Sequence, residues 1–194
     1  MKLSVVERCC KAAKVCRLCI DAGEKFIGDR NALYRVDELP EMDDSAIKMM
    51  WSITGKKADE FQVLISDRLP EPYSFAPLTE EDECLTRIAA TVCGRTYFRS
   101  ESGELIAVQD KYVRPFADDG DEITYIGRKT ADGERYVCAM RGWFVQAVID
   151  PLAPLSEDLL REVGEIWNAE SVAADAKGGS KEAESDGAEA DGYT

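Results

Sequence analysis

The sequence predicts an α+β fold: a mostly antiparallel β-sheet with a few peripheral helices and a disordered acidic tail at the C-terminus. Short apolar segments of strand length recur along the chain, and turn signals that contain glycine separate most of them. Beyond residue 168 the composition shifts to Ala, Gly, Ser, Glu and Asp, with almost nothing to bury. We therefore expect a single domain over 1–168 and a disordered tail over 169–194.

Within the domain, two β-rich halves, 1–68 and 86–168, are expected on either side of a proline-rich connection at 69–78. Its prolines remove backbone donors and fix the backbone, so this connection cannot be a regular element. A short helical turn from Thr79 to Leu85 is predicted to follow it.

The first half is predicted to begin with a helix over 3–14, because apolar side chains recur there at helical spacing. A second helix starts at Asp43 or Asp44, whose carboxylates can cap it, and stops near Gly55. Alternating apolar segments predict the strands of this half, at 15–20, 25–28, 31–36 and 61–65.

The second half is predicted to be mostly strand, with the segment 143–149 central because it is the most apolar. A helix capped by Ser156 is expected after it, with leucines 159 and 160 on its apolar face. The other strands of this half are predicted at 88–92, 95–99, 105–109, 122–127 and 136–140.

Composition favours a binding protein over an enzyme. The chain has no histidine, the side chain that most often moves protons near neutral pH, and no nucleophile or dinucleotide motif. Its 38 carboxylates outnumber 24 Lys and Arg, for a formal charge of −14. Such a field repels nucleic acid and attracts basic protein surfaces. We expect no catalytic residue and no cofactor.

The seven cysteines are odd in number and unevenly spread, which favours reduced, buried thiols. Cys16 and Cys19 have the spacing of a zinc or redox motif, but in a strand they point to opposite faces. No metal site is predicted. Since the N-terminus lacks a signal-peptide core and no apolar run approaches membrane-spanning length, we expect a cytoplasmic protein without membrane contact.

Three carboxylate clusters are candidate contacts for a basic partner. The alternative interpretations are helix caps, solvated turns and charges that only keep the protein soluble. For the second and third clusters, a divalent cation held by oxygen ligands is a further alternative. The clusters are Asp43 with Asp44, then Glu80, Glu81, Asp82 and Glu83, and finally Asp118, Asp119, Asp121 and Glu122.

Basic residues suggest a weaker alternative surface. Arg95 and Arg99 alternate with Tyr97 between them, a pattern that could contact nucleic acid or could be the wet face of an edge strand. Arg128, near a neighbouring hairpin, is a further candidate for nucleic-acid contact. With a net negative charge, any binding to DNA should be weak and sensitive to salt.

Several segments resemble a family of small proteins from phages and prophages of gut Firmicutes that includes inhibitors of type II-A CRISPR Cas9. They are Lys25-Phe26-Ile27-Gly28-Asp29, Ala32-Leu33-Tyr34, Leu39-Pro40, 103–108, Lys111-Tyr112-Val113-Arg114-Pro115 and 142–151. The resemblance covers about 1–168, and it departs from the family where Phe26 replaces the usual Trp and where Arg30 lies near a usual Gly. It implies an anti-CRISPR protein that acts in the bacterial host cell.

Two functions therefore stand as hypotheses. In the first, the chain is a non-catalytic inhibitor that presents carboxylates as a DNA mimic to the positive channel of Cas9. In the second, it is a phage accessory factor of DNA metabolism with a clamp-like, β-rich arrangement, contacting DNA through Arg95, Arg99 and Arg128. An enzyme with a metal at the Asp118 cluster ranks below both.

Overall fold

The computed structural model describes residues 1–130, 132–153 and 161, without the side chains of Ala89, Ala90 and Asp121. Within these residues, ten strands form one sheet in the order β4-β1-β2-β3-β10-β9-β8-β5-β6-β7. The strands are β1 (Val15–Asp21), β2 (Glu24–Gly28), β3 (Ala32–Arg35), β4 (Gln62–Ser66), β5 (Glu83–Val92), β6 (Arg95–Ser100), β7 (Leu105–Gln109), β8 (Ile123–Lys129), β9 (Arg135–Arg141) and β10 (Phe144–Ile149).

The predicted α+β class is confirmed. Every neighbouring pair of strands is antiparallel except β1 and β4, which run parallel. In the ranges that the structure describes in full, the helices beside the sheet are α1 (Leu3–Ala13), α2 (Asp44–Met50), α3 (Lys56–Glu60) and α4 (Asp110–Val113), with 3₁₀ turns at Arg114–Phe116 and Gly120–Glu122.

The two β-rich halves share one sheet. Strands β3 and β10 pair antiparallel, with Tyr34 opposite Ala147 and Leu33 opposite Val148. As predicted, β10 is central, fifth in the order of ten. Residues Met1–Pro154 form one compact unit. The predicted helix at Ser156, the domain boundary at 168 and the predicted tail lie outside the described residues.

A local two-fold arrangement relates the halves. Helix α1 precedes the antiparallel triplet β1-β2-β3, and α4 precedes the antiparallel triplet β8-β9-β10. The last strands of the two triplets are the ones that pair, so the sheet reads β1-β2-β3 and then β10-β9-β8. Buried side chains of α1 and α4 belong to one core on the same face of the sheet, which we call the helix face.

The other face carries a smaller core, covered by the proline-rich segment 69–78, which we call the strap. The ring centroid of Phe75 lies 4.2 Å from that of Phe26, and the Tyr73 ring meets Tyr136 edge-on at 5.7 Å. The Tyr73 hydroxyl donates to the Asp150 carboxylate. The strap is irregular, as predicted, but it packs against the sheet and is more than a connection.

Two local predictions are wrong. No helix forms from Thr79 to Leu85, because the Asp82 carboxylate closes a turn by accepting from the Thr79 amide at 2.8 Å, and β5 starts at Glu83. The second helix was predicted to stop near Gly55, but α2 ends at Met50, and Gly55 is the N-cap of the short helix α3.

The cysteine predictions agree with the structure. Cys16 belongs to the core of the helix face and Cys19 to the core of the strap face, as the strand geometry requires. Among the described residues, five cysteines are buried, Cys84 and Cys93 are exposed, and no disulfide forms.

Candidate binding surfaces

The structure divides the acidic cluster at 80–83. Glu80 and Glu81 are exposed, and no described cation lies within ion-pair distance of them. Glu83 accepts from the Ser102 amide at 2.9 Å and pairs with Arg135 at 3.0 Å. These bonds hold the pKa of Glu83 below its ordinary value. Only the first two carboxylates of the cluster are free to meet a partner.

Asp82 is a structural residue, which corrects its assignment as a partner contact. Its side chain is 2% exposed and pairs with Arg128 at 2.6 Å. Burial would raise the pKa of Asp82, but hydrogen bonds from Arg128 and Thr79 outweigh it, so the pKa lies below the ordinary value.

The same pair removes Arg128 from the candidate nucleic-acid contacts. Its guanidinium donates to both Asp82 oxygens and to the backbone carbonyls of Ser74, Ala76 and Pro77 in the strap. With 9% of its side chain exposed, Arg128 faces the protein interior and anchors the strap.

Two further carboxylate clusters are largely engaged by the chain itself. Asp43 caps α2 by accepting from the Ala46 amide at 2.7 Å, and Asp44 pairs with Lys48 at 3.1 Å. In the third cluster, the described partners are as follows: Asp118 with Lys2, Asp119 with the N-terminal amine and Arg141, and Glu122 with Arg141.

The negative charge is unevenly distributed. Residues 1–154 contain 27 carboxylates and 21 Lys and Arg, a formal charge of −6, whereas 155–194 contribute the remaining −8. The folded sheet is therefore only mildly acidic, and its surface can carry basic patches.

A basic patch lies near the place where α1 contacts α4. We call it the basic helix surface and define it by Arg8, Arg95, Lys111 and Arg114. The last three line a cleft of about 400 Å³ beside the Cys93-Gly94 turn. Among the described residues, no carboxylate lies within ion-pair distance of Arg8, Arg95 or Lys111.

Three cations of this surface lie near the buried Cys9 of α1. Burial and the nearby Asp29 raise the pKa of the Cys9 thiol. The positive charges of Lys111, Arg8 and Arg114 act in the opposite direction. The charges of all three cations therefore act on the same thiol.

Hydrogen bonds fix the position of α4 on the sheet. The Tyr112 hydroxyl donates to buried Asp29 at 2.9 Å, and the Tyr34 hydroxyl donates to the Tyr112 carbonyl at 2.9 Å. The Cys9 thiol of α1 donates to the Lys111 carbonyl at 3.6 Å. These bonds place Lys111 next to α1.

Asp110 fixes the position of Arg114. One of its oxygens accepts from the Thr96 hydroxyl at 2.9 Å, and the other accepts from Arg114 Nε at 2.5 Å. Asp110 is buried, and it accepts from Nε of Arg114 alone among the guanidinium nitrogens. The Arg114 side chain is 65% exposed, so its positive charge still faces solvent.

The predicted stripe on β6 needs correction. Tyr97 is buried and cannot stack on a base between Arg95 and Arg99. Strand β6 is also not an edge, since it lies between β5 and β7. Arg95 instead joins the basic helix surface, while Arg99 is exposed farther along β6.

Sequence reasoning missed Arg8, Lys111 and Arg114. An available signal was that α1 carries arginine and lysine on its polar side, but α4 has only four residues and gives no periodic pattern.

Within the described ranges, no group of three or more His, Cys, Asp or Glu side chains is arranged to hold a metal ion. None of the helices in this part of the chain is long and apolar enough to cross a membrane. The sequence matches no known protein family, and neither a curated protein nor a solved structure shows significant similarity to it.

Proposed function

We propose that this chain is a non-catalytic accessory protein of DNA metabolism that contacts the backbone of duplex DNA through the basic helix surface. The observation that carries the proposal is that Arg95, Lys111 and Arg114 line one cleft in a mildly acidic body. Arg8 on α1 lies near the same buried thiol, Cys9, as Lys111 and Arg114. Elsewhere on the sheet, carboxylates pair with cations such as Arg35, Arg135 and Arg141. Three cations of the basic helix surface have no carboxylate within ion-pair distance in the described part of the chain.

The chemistry suits phosphate contacts and not base recognition. The cations belong to α1, to α4, to the 3₁₀ turn that follows α4 and to strand β6. The Asp29 and Asp110 bonds hold α4 and Arg114 in place, and the Cys9–Lys111 bond joins α1 to α4. Such a surface can meet successive phosphates without inserting a recognition element into a groove. Binding is expected to be independent of sequence, weak at physiological salt and compatible with a clamp-like role beside a larger assembly.

The test is the salt dependence of binding to a labelled 20-base-pair duplex, followed by fluorescence anisotropy. Each phosphate contact contributes roughly −0.9 to the slope of log K against log salt. A variant with Arg8→Gln and Lys111→Gln should flatten the slope by about 2. The control, Arg87→Gln with Lys129→Gln, removes the same charge from two other strands and should leave the slope unchanged.

Absence of binding at low salt would overturn the proposal. An equal loss of slope in the control variant would also overturn it, because net charge alone would then explain the interaction. Neither result bears on Cas9, so the two candidate functions are tested separately.

A second candidate function is inhibition of a type II-A Cas9, as the family resemblance implies. The observation that favours it is the exposed pair Glu80 and Glu81, which has no described cationic partner. The formal charge of the whole chain, −14, favours the same interaction. Free carboxylates can dock on a cationic channel that otherwise holds nucleic acid. The carboxylate clusters at Asp43 and Asp118 pair with groups of the chain itself, so we expect them to contribute less to Cas9 binding than the sequence indicated.

A cleavage assay with guide-loaded type II-A Cas9 tests this function. Inhibition near a one-to-one ratio is expected, and a variant with Glu80→Gln and Glu81→Gln should need several-fold more protein. The matched control is Glu41→Gln with Glu101→Gln, two exposed carboxylates elsewhere. Unchanged cleavage at large molar excess of the wild-type chain would remove this function for that Cas9.

A further inference from the structure

Among the described strands, β4 is an edge strand whose outer side pairs with none. It bonds to β1 on its inner side, and no other described strand pairs with it. The Gln62 amide donates to the Lys14 carbonyl at 3.0 Å, so alternate residues along β4 face β1. The backbone groups of Val63 and Ile65 consequently point outward. These N–H and C=O groups form a row of hydrogen-bond donors and acceptors with which an added strand can pair.

Apolar side chains accompany this open edge. Leu64 is 42% exposed on the strap face, and Ile65 is 48% exposed on the helix face. Native sheets usually protect an edge with charge or proline, and β4 itself has neither over Gln62–Ser66.

A groove runs along the edge on the strap face. Its volume is about 480 Å³, and its lining includes Cys19, Leu64, Leu69 and Pro70. The strap follows β4 closely in the chain, and its first residues, Leu69 and Pro70, line the groove. The site is thus an open edge beside a groove whose lining is partly apolar and partly charged.

Two arginines give the groove its chemical preference. Arg17 on β1 lies opposite Gly28 of β2 and Leu64 of β4. Arg68 follows β4 along the chain. In the described part of the chain, neither guanidinium lies within ion-pair distance of a carboxylate. Glu71 is the one carboxylate among the residues lining the groove, so the lining has an excess of positive charge.

We propose that β4 is a docking site for an extended segment of a partner protein, with apolar side chains for the groove and acidic side chains for Arg17 and Arg68. The segment adds as a further strand beyond β4. Backbone bonds to Val63 and Ile65 supply affinity, and the two arginines select acidic over basic segments. This site is separate from the basic helix surface and does not depend on either function proposed above.

The probe is a capped nine-residue peptide of Val and Thr that carries two Asp on one face, compared with the same peptide carrying two Lys. Binding is measured by fluorescence anisotropy at about 150 mM salt, where long-range charge is screened beyond about 8 Å. The Asp peptide should bind at least about tenfold more tightly, a difference of about 1.4 kcal/mol. No binding of the Asp peptide, or equal binding of both, would overturn the proposal.

Two variants separate edge pairing from side-chain contact. Ile65→Pro removes an outward amide that β1 does not use and should abolish binding, whereas Ile65→Ala keeps the amide and should retain most of it. If the proline variant does not fold, N-methylation of alternate amides in the peptide removes the same bonds with the wild-type chain. Unimpaired binding of the methylated peptide would refute strand addition.

The charge preference has its own control. Arg17→Gln with Arg68→Gln should bring the two peptides to similar affinities, and Arg87→Gln should keep the wild-type preference. Self-association of the chain that Ile65→Pro abolishes would assign the edge to a second copy and overturn a partner segment as its occupant.

Discussion

At the scale of single residues, the Arg128 side chain links three parts of the molecule. It belongs to β8, it neutralises Asp82 before β5, and it donates to three strap carbonyls. Removing one member of a buried pair leaves the other charged and without a partner. The pair therefore stabilises the strap and the start of β5 together.

We expect Arg128→Met to lower the free energy of unfolding by about 3–5 kcal/mol. The loss comes from an unpaired buried Asp82 and from strap carbonyls without a donor. Urea denaturation measures it. The double variant Arg128→Met with Asp82→Leu should recover part of the loss, because an apolar pair leaves no buried charge. A loss no larger than that of Arg87→Met would contradict the role given to Arg128.

Asp82 also makes stability depend on pH. Its pKa is lowered in the folded chain, so its ionised form stabilises the fold above the unfolded pKa of about 3.9. That contribution is lost as pH falls through the lower, folded pKa. Urea midpoints measured between about pH 6 and pH 2.5 should fall more steeply for the wild type than for Asp82→Asn. Parallel pH profiles would contradict this assignment.

Gly28 has no room for a side chain. A Cβ there would lie 1.9 Å from the Ala32 carbonyl oxygen, and backbone cannot move aside cheaply. Gly28→Ala should therefore cost about 3 kcal/mol or more. Gly127→Ala is the matched control on β8, where the nearest atom is a Leu85 methyl at 3.5 Å, and it should cost less than about 1 kcal/mol. Equal unfolding midpoints for the two variants would refute the argument.

At the scale of elements, the strap is part of the fold, since it covers the strap-face core. Phe75 is 7% exposed against Phe26, whereas Phe144 on β10 is 62% exposed. We expect Phe75→Ala to cost about 3–5 kcal/mol and Phe144→Ala about 0.5 kcal/mol or less. Thermal and urea unfolding compare the two. Similar losses would mean that the strap does not seal this face.

The sequence predicted elements better than the contacts between them. Short apolar runs identify β2, β3 and β10 because these central strands bury side chains on both faces of the sheet. The helical turn after Thr79 was misjudged because acidic residues there resemble a helix start, whereas Asp82 turns inward to Arg128, 46 positions away. The basic helix surface was missed for the same reason, because Arg8 and Lys111 are far apart in the sequence and only the fold brings both near Cys9.

At the scale of the whole molecule, the two-fold arrangement joins both halves into one core. The helix-face core takes side chains from both halves, and the Lys2 amide donates to the Pro115 carbonyl at 2.7 Å. The Tyr34 hydroxyl crosses the same boundary to the Tyr112 carbonyl. A half that unfolded alone would expose apolar surface of the other, so the halves should not be independent.

We therefore expect residues of both halves to unfold in a single cooperative transition. A variant with Trp143→Phe and Trp167→Phe leaves buried Trp51 as a fluorescent reporter of the first half, while far-ultraviolet circular dichroism follows the whole sheet. The two urea curves should have the same midpoint and slope. Adding Gly28→Ala, a change in the first half, should shift both curves equally. Separate transitions, or a shift of the Trp51 signal alone, would show that the β3–β10 pairing joins two independently folding halves.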